Sequence, residues 1–155
     1  MAVQSGQPHR VAPTRNHMNH CQMCTKWADE PELRIAELEC CYVLLNRDQL
    51  FPGYAFVVGR EHVTELFHLD RERRSKVMEE VTAVASALNT LFKPDKINYE
   101  LLGNMVPHMH WHLVPRFRTD QLWPRPIWAV PHEEVILSPD AYAERIERIR
   151  KAITI

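Results

Sequence analysis

Three histidines within five residues give the strongest chemical signal in this chain. They occupy positions 108, 110 and 112, and bulky apolar residues occupy positions 109, 111 and 113. Because a β-strand directs alternate side chains to opposite faces, the imidazoles are predicted to share one face and to project outward from it. The apolar residues would then pack beneath a helix. A neutral imidazole can attack phosphorus, and a row of imidazoles can also bind a metal ion. The alternation with large apolar residues disfavours the plainer alternative, a surface strip of histidines.

A pair of cysteines, Cys21 and Cys24, forms a second candidate site. Two thiolates at this spacing can bind one Zn²⁺, but a tetrahedral site needs two further ligands, which histidines would supply. A thioredoxin-like redox pair is the alternative. The polar segment that precedes Cys21 does not resemble a strand, so the pattern favours zinc.

Four segments are rich in strand-forming residues and predict an antiparallel sheet. Residues 38–46 and 54–58 are separated by the turn signal Pro52-Gly53. Residues 97–102 and 108–114 are separated by Gly103-Asn104, which suits a hairpin-type turn.

Two helices complete the prediction. Apolar residues recur every three or four positions between residues 70 and 92, so this segment is predicted to be a long helix with Asp70 as its N-cap. Ser138 and Pro139 are typical of the start of a C-terminal helix. Strands with one long helix against them indicate an α+β fold.

Length and composition limit the possible functions. The chain has 155 residues and a formal net charge of −1, which suggests one domain and gives no general attraction for duplex nucleic acid or an acidic membrane. The stretch 1–19 has no hydrophobic periodicity and is predicted to be a flexible N-terminal tail, followed by a single domain over 20–155. We find no apolar run of about 20 residues and no signal peptide, so we expect a soluble cytoplasmic protein.

The run His-Met-His-Trp-His-Leu-Val resembles the signature of the histidine triad (HIT) superfamily, in which three histidines alternate with apolar residues. The similarity extends upstream through the segment from Leu45 to His62 and covers about residues 21–117. It implies a HIT-like fold with about five antiparallel strands, one long packed helix and a C-terminal helix. It also implies a homodimer that acts as a nucleotide hydrolase or transferase, similar to dinucleoside polyphosphate hydrolases. His110 would carry the covalent nucleotidyl group.

The resemblance also implies roles for residues around the triad. His112 would bind and polarise the phosphate, and Asn104 would face the leaving group. Asn46 would bind the ribose hydroxyls of a purine nucleotide or dinucleotide, with Leu45 and its apolar neighbours flanking the base; a turn-capping amide is the alternative for Asn46. Arg116, just past the strand, is either a phosphate contact or a surface charge.

Zinc-bearing members of the superfamily use a Cys-x-x-Cys pair together with two histidines. In this chain the matching residues are Cys21, Cys24, His62 and His108, with His68 as a competing ligand. By this resemblance the zinc would have a structural role, because it would join the N-terminal segment to the catalytic strand.

The chain departs from the family pattern at several points. The loop before the triad is short, and Tyr54 stands where many relatives have histidine. The segment from Trp123 to Trp128 lies outside the shared region and is predicted to complete the core, with closure over a substrate as the alternative.

Two alternative functions remain open from the sequence. One is a non-catalytic, regulatory purine-nucleotide-binding protein. The other is a hydrolase in which the three histidines bind a catalytic zinc.

Overall fold

The computed structural model describes residues 21–155, so the predicted tail at 1–19 lies outside the described residues. The described chain contains three α-helices and five β-strands, with short 3-10 turns at Pro31–Leu33 and Leu66–His68. In chain order the elements are α1 (Gln22–Asp29), β1 (Arg34–Glu37), β2 (Cys41–Leu45), β3 (Ala55–Gly59), α2 (Arg71–Phe92), β4 (Lys96–Glu100), β5 (His110–Arg116) and α3 (Pro139–Ala152).

The five strands form one antiparallel sheet in the order β1-β2-β3-β5-β4. This confirms the predicted α+β fold. The triad strand β5 is internal and pairs with β3, where Phe56 lies opposite His112 and Val58 lies opposite His110. Helix α1 and strand β1 were not predicted from the sequence.

Helix α2 forms as its sequence pattern predicts. The Asp70 side chain accepts a hydrogen bond from the backbone N–H of Arg73 at 2.8 Å and so caps the helix. The helix ends at Phe92, and the next residue, Lys93, has a left-handed φ of 50° immediately before Pro94. Its apolar stripe packs in the main core with Met109, Trp111 and Leu113, so the predicted apolar face of β5 is confirmed.

The connection between β4 and β5 is longer than the predicted hairpin turn, because it spans residues 101–109. Backbone hydrogen bonds explain the difference. Met109 donates to the carbonyl of Val63 at 2.7 Å and accepts from the N–H of Gly59 at 3.0 Å. The residues just before β5 therefore pair with the chain that follows β3, and β4 pairs with β5 only from His112 onward.

Helix α3 begins as predicted, with the Ser138 hydroxyl accepting from the N–H of Ala141 at 3.3 Å. Arg150 on this helix donates from Nε to the carbonyl of Ile35 at 2.7 Å, which attaches α3 to the sheet edge. None of the helices within residues 21–155 has the length and apolar character required to cross a membrane.

We expect Leu88→Ala to lower the free energy of unfolding by about 2–5 kcal/mol, because it leaves a cavity beneath α2. Leu88 has no solvent exposure, whereas Met78 on the same helix is 39% exposed. Urea unfolding of Leu88→Ala and of the control Met78→Ala measures the difference. Equal losses in the two variants would show that the α2 stripe does not contribute the expected packing.

Candidate active site

The three histidines of the triad are buried, with 1%, 5% and 8% of the surface of His108, His110 and His112 exposed. The sequence predicts an outward-projecting row, but two elements cover this face of the sheet. Lys26 of α1 lies over the ring of Phe56 at 5.0 Å, and Phe56 contacts the triad. On the other side Trp128 lies against His112, with ring centroids 5.1 Å apart. Trp128 belongs to residues 117–137, which we call the strap.

A backbone carbonyl determines the protonation of the His110 ring. Nδ1 of His110 lies 2.6 Å from the carbonyl oxygen of His108, so Nδ1 carries the proton and donates it. The lone pair of the neutral ring is therefore on Nε2. Burial lowers the pKa of His110, and the positive charge of Lys26 lowers it further. The ring is therefore neutral at neutral pH, with its lone pair on Nε2.

His112 is the neighbour of His110 on the same face, with ring centroids 5.0 Å apart. Its Nδ1 lies 2.6 Å from the hydroxyl oxygen of Tyr54. Burial, with a contribution from the nearby His110, lowers the pKa of His112 to about 4. This ring is also neutral at pH 7, so any interaction with a phosphate is a hydrogen bond from an uncharged donor.

Cys21, Cys24, His62 and His108 form a cluster that could bind a metal ion. Their potential ligand atoms all lie within 4.8 Å of one another. Sγ of Cys24 is 3.1 Å from Nδ1 of His62 and 3.4 Å from Nδ1 of His108. A tetrahedral zinc with Zn–S of about 2.3 Å and Zn–N of about 2.0 Å places its ligands roughly 3.5 Å apart, so the donor set and its spacing fit this metal.

The surroundings of the cluster also suit a cation. Burial and the adjacent Cys21 raise the pKa of Cys24 to about 12, so a bound cation is needed to make this thiol a thiolate. Nε2 of His108 lies 2.6 Å from the carbonyl oxygen of Gly59. This contact fixes the proton on Nε2 and leaves Nδ1 free to bind the ion.

The hydrogen bonds of the three imidazoles disfavour a catalytic zinc held by all three histidines. His108 faces the cysteines, while the Nδ1 atoms of His110 and His112 are bonded to the carbonyl of His108 and the hydroxyl of Tyr54. Among residues 21–155, the grouping of possible metal ligands includes neither His110 nor His112.

A cavity of about 440 Å³ opens beside His112. The sheet side contributes Asn46, Tyr54 and Phe56, and the strap contributes Trp128 and His132. Its size suits part of a small organic ligand, and its lining combines aromatic rings with a few polar groups.

Asn46 lines this cavity, as expected for a ligand-binding residue, and it also caps a turn. Its Oδ1 accepts from the backbone N–H of Asp48 at 2.8 Å, so its ribose contact stays a prediction. Leu45 does not fit the predicted role beside a base. It is fully buried in the main core beneath α2, and the residues of this region that face the triad are Leu44 and Phe56.

Arg116 lies at the end of β5, on the same face as the triad and four positions beyond His112, and Asn104 lies in the connection before β5. Arg116 is 2% exposed and donates from Nε and Nη2 to the carboxylate of Asp120 at 2.8 and 2.9 Å. Its Nη1 donates to the carbonyl of Arg125 at 2.9 Å. These contacts make Arg116 a buried anchor for the strap and not a surface charge, and its contact with a phosphate stays a prediction. Asn104 is exposed in the connection before β5, and its contact with a leaving group stays a prediction.

The Trp123–Trp128 segment completes the core, as predicted, and its last residue also lies against the triad, whereas closure over a substrate stays a prediction. Ile127 is 1% exposed and belongs to a core cluster, whereas Trp128 is 51% exposed and lies over His112. The indole N–H of Trp128 donates to the carboxylate of Glu100 at the edge of the sheet.

Sequence reasoning missed Asp48, which fastens the far end of the strap. Asp48 is 6% exposed and accepts hydrogen bonds from Nε2 of His132 at 2.8 Å and from the N–H of Val135 at 3.0 Å. Burial alone would raise the pKa of Asp48, but the backbone donors of Leu50 and Val135 and the imidazole of His132 outweigh it, and the pKa is lowered. His132 is 84 positions away, so no local sequence pattern could have revealed this pairing.

We expect Asp48→Asn to destabilise the fold in a pH-dependent manner. Because the folded-state pKa of Asp48 is lowered, its contribution is fully present above the unfolded pKa of about 3.9 and is lost as the pH falls through the folded value. Denaturant unfolding between pH 7 and pH 3 should show the difference between wild type and variant shrink toward low pH. The exposed Asp29→Asn serves as control. A difference that is constant with pH would contradict this assignment.

Comparison with known proteins shows which sequences and structures this chain is similar to. The chain matches Protein hit of Bacillus subtilis at 26% identity over 104 residues, which is 63% of this chain and 72% of that protein. It matches a bis(5'-adenosyl)-triphosphatase of Saccharomyces cerevisiae at 25% identity over 87 residues, which is 52% of this chain but only 42% of the yeast protein.

A solved structure is similar over nearly its full length. The histidine triad protein blr8122 from Bradyrhizobium japonicum superposes with a TM-score of 0.73 at 29% identity, covering 82% of this chain and 96% of that one. The family model described as the HIT domain matches residues 28–119, a range that contains β1 to β5 and the whole triad. The chain therefore belongs to the HIT-domain family.

Proposed function

We propose that this protein cleaves nucleotide conjugates at the α-phosphate through a covalent nucleotidyl group on His110. The observation that carries the proposal is the 2.6 Å contact between Nδ1 of His110 and the carbonyl of His108. It leaves the Nε2 lone pair of a neutral ring available for attack. The likeness to a protein named bis(5'-adenosyl)-triphosphatase supports phosphoanhydride substrates.

In the first step Nε2 of His110 forms a bond to the α-phosphorus. The bond from phosphorus to the leaving oxygen or nitrogen breaks, and the leaving group takes the electron pair and then a proton from water. His112 donates a hydrogen bond to a non-bridging phosphoryl oxygen, where negative charge develops. The hydrogen bond from Nδ1 to the carbonyl of His108 stabilises the imidazolium-like charge on His110.

In the second step water or another acceptor attacks the same phosphorus. The bond between phosphorus and Nε2 breaks, the acceptor loses its proton, and His110 returns to its neutral form. Water as acceptor gives hydrolysis, and a different acceptor gives nucleotidyl transfer.

The substrate class follows from the chemistry at phosphorus and from the family likeness. We propose a purine nucleotide or dinucleotide, with dinucleoside polyphosphates and nucleoside phosphoramidates as the leading substrates. Asn46 would bind the ribose hydroxyls at the edge of the cavity, and Asn104 would assist the leaving group. Phe56 and Leu44 face the triad and replace Leu45 as the apolar residues proposed to lie next to the base.

We expect an adenylyl adduct when wild-type protein is mixed with a diadenosine polyphosphate or with adenosine phosphoramidate. Intact mass spectrometry after an alkaline quench within seconds measures it, because the phosphorus–nitrogen bond to histidine is labile in acid. His110→Ala should form no adduct and lose at least about a thousandfold in turnover, while it retains nucleotide binding. His68→Ala, which alters an exposed histidine, is the control and should behave as wild type.

An adduct that persists in His110→Ala would contradict the assignment of the nucleophile. If the wild type forms no adduct and releases no product over hours while it still binds nucleotide, the non-catalytic binding function would replace the enzymatic one.

We further propose that the Cys21, Cys24, His62 and His108 cluster binds structural zinc. The ion would neutralise two thiolates and link the start of α1 to the residues just before β5. In this role the four ligand side chains fix the position of α1 over the triad and take no part in the reaction; only the backbone carbonyl of His108 acts on His110.

We expect purified protein to contain about one zinc per chain, measured by inductively coupled plasma mass spectrometry. Cys24→Ser should lose the metal and unfold at a lower temperature, because a cluster ligand is missing. Cys40→Ala, which changes a buried cysteine outside the cluster, should retain the metal. Full zinc content in Cys24→Ser would contradict the assignment. Metal-free protein that stays folded, loses all activity and regains it with zinc would favour a catalytic metal.

A homodimer and a cytoplasmic location complete the proposal. Both rest on the family likeness and the sequence, and light scattering coupled to size-exclusion chromatography tests the first.

A further inference from the structure

Tyr54 lies immediately before β3 and is 3% exposed. Its hydroxyl contacts Nδ1 of His112 at 2.6 Å, a short distance for a neutral hydrogen bond. The question is which of the two groups donates, because this decides which ring nitrogen of His112 carries the proton.

Burial of the Tyr54 side chain determines the direction of this hydrogen bond. Within the described residues, the contact of the Tyr54 hydroxyl at hydrogen-bond distance is Nδ1 of His112. A buried O–H group needs an acceptor. If Nδ1 of His112 donated instead, the Tyr54 proton would have no acceptor among these residues, so the hydroxyl donates and Nδ1 accepts.

The surroundings keep the Tyr54 hydroxyl protonated. Burial, together with the negative charge of Glu100, raises the pKa of Tyr54 above its usual value. The hydroxyl is therefore a donor throughout the neutral range, and Nδ1 of His112 is its acceptor. A neutral imidazole that accepts at Nδ1 carries its proton on Nε2.

We propose that Tyr54 is a positioning residue that holds His112 in the Nε2–H tautomer, opposite to the tautomer of its neighbour His110. The hydrogen bond runs from the hydroxyl of Tyr54 to Nδ1 of His112, whereas Nδ1 of His110 donates to the carbonyl of His108. The two adjacent rings consequently present different groups to a ligand. Nε2 of His110 is a lone pair, and Nε2 of His112 is a donor. The catalytic consequence, donation to the phosphoryl oxygen, rests on the proposed function; the tautomer itself does not.

Nitrogen-15 NMR of the histidine side chains tests the tautomer directly. In wild-type protein at pH 7 we expect His112 as a single Nε2–H form with a hydrogen-bonded, unprotonated Nδ1. We expect His110 as the Nδ1–H form. A slowly exchanging Tyr54 hydroxyl proton should show a cross-peak to His112. A wild-type spectrum with the His112 proton on Nδ1 would overturn the proposal without any variant.

Tyr54→Phe removes the hydroxyl that donates to His112 and keeps the aromatic ring. We expect its His112 signals to show loss of the hydrogen bond at Nδ1 and a measurable Nδ1–H fraction, while the His110 signals stay unchanged. The matched control is Tyr142→Phe, which removes another largely buried hydroxyl that donates to the carbonyl of Arg47 at 2.5 Å. His112 signals that are identical in wild type and Tyr54→Phe, or equally altered in both variants, would overturn the proposal.

Kinetics supply a second readout. With a substrate that the wild type turns over, Tyr54→Phe should lower kcat about tenfold, the effect of roughly one neutral hydrogen bond, with a smaller change in KM. Tyr54→His places an N–H donor at the same position and should restore part of the loss. An unchanged kcat in Tyr54→Phe would overturn the catalytic role of Tyr54. No turnover by wild-type protein would instead contradict the proposed function, and the NMR result on the tautomer would stand.

Discussion

Every ring nitrogen in a buried row of histidines needs a hydrogen-bond partner or a ligand, and this requirement organises the rest of the structure. An unsatisfied polar group of this kind costs roughly 1–3 kcal/mol when it is buried. The protein satisfies one nitrogen of each ring from a different source: the carbonyl of Gly59 for His108, the carbonyl of His108 for His110, and the hydroxyl of Tyr54 for His112. The opposite nitrogen of each ring is then available for the metal ion, the substrate phosphorus or the phosphoryl oxygen that we propose for it.

Two segments, helix α1 and the strap, bury this row of histidines. Each segment is held in place by residues that are distant from it in sequence. Helix α1 covers one side. Its Met23 and Trp27 pack on the cluster formed by Leu44, Phe56 and Val58, and its start lies at the metal-ligand cluster. The strap covers the other side, with Arg116 and Asp120 at its beginning and Asp48 near its end. An eight-residue helix is only marginally stable by itself, so the position of α1 depends on these tertiary contacts.

The sequence predicted the elements whose side chains follow a clear period. The apolar stripe of α2 and the caps at Asp70 and Ser138 were sufficient to place the two helices. The alternation along β5 was sufficient to separate the two faces of the triad strand. Strand β2 carries the consecutive apolar residues Val43, Leu44 and Leu45, all fully buried. Such a run does not reveal which side chain faces which layer. Its register with β3 decides this, and for that reason the sequence did not show that Leu45 lies in the core beneath α2. Contacts such as those of Asp48 with the strap depend on tertiary structure alone.

His108 combines two functions that use different parts of the same residue. Its side chain belongs to the cluster with Cys21, Cys24 and His62, whereas its backbone carbonyl orients His110. A carbonyl is common to all amino acids, so the orientation of the His110 ring places no demand on the side chain at position 108. In our proposal the imidazole of His108 holds α1 through the metal and is not needed for the reaction at His110. A chain that stabilised its first helix by other means could vary this residue and still keep the same reacting pair.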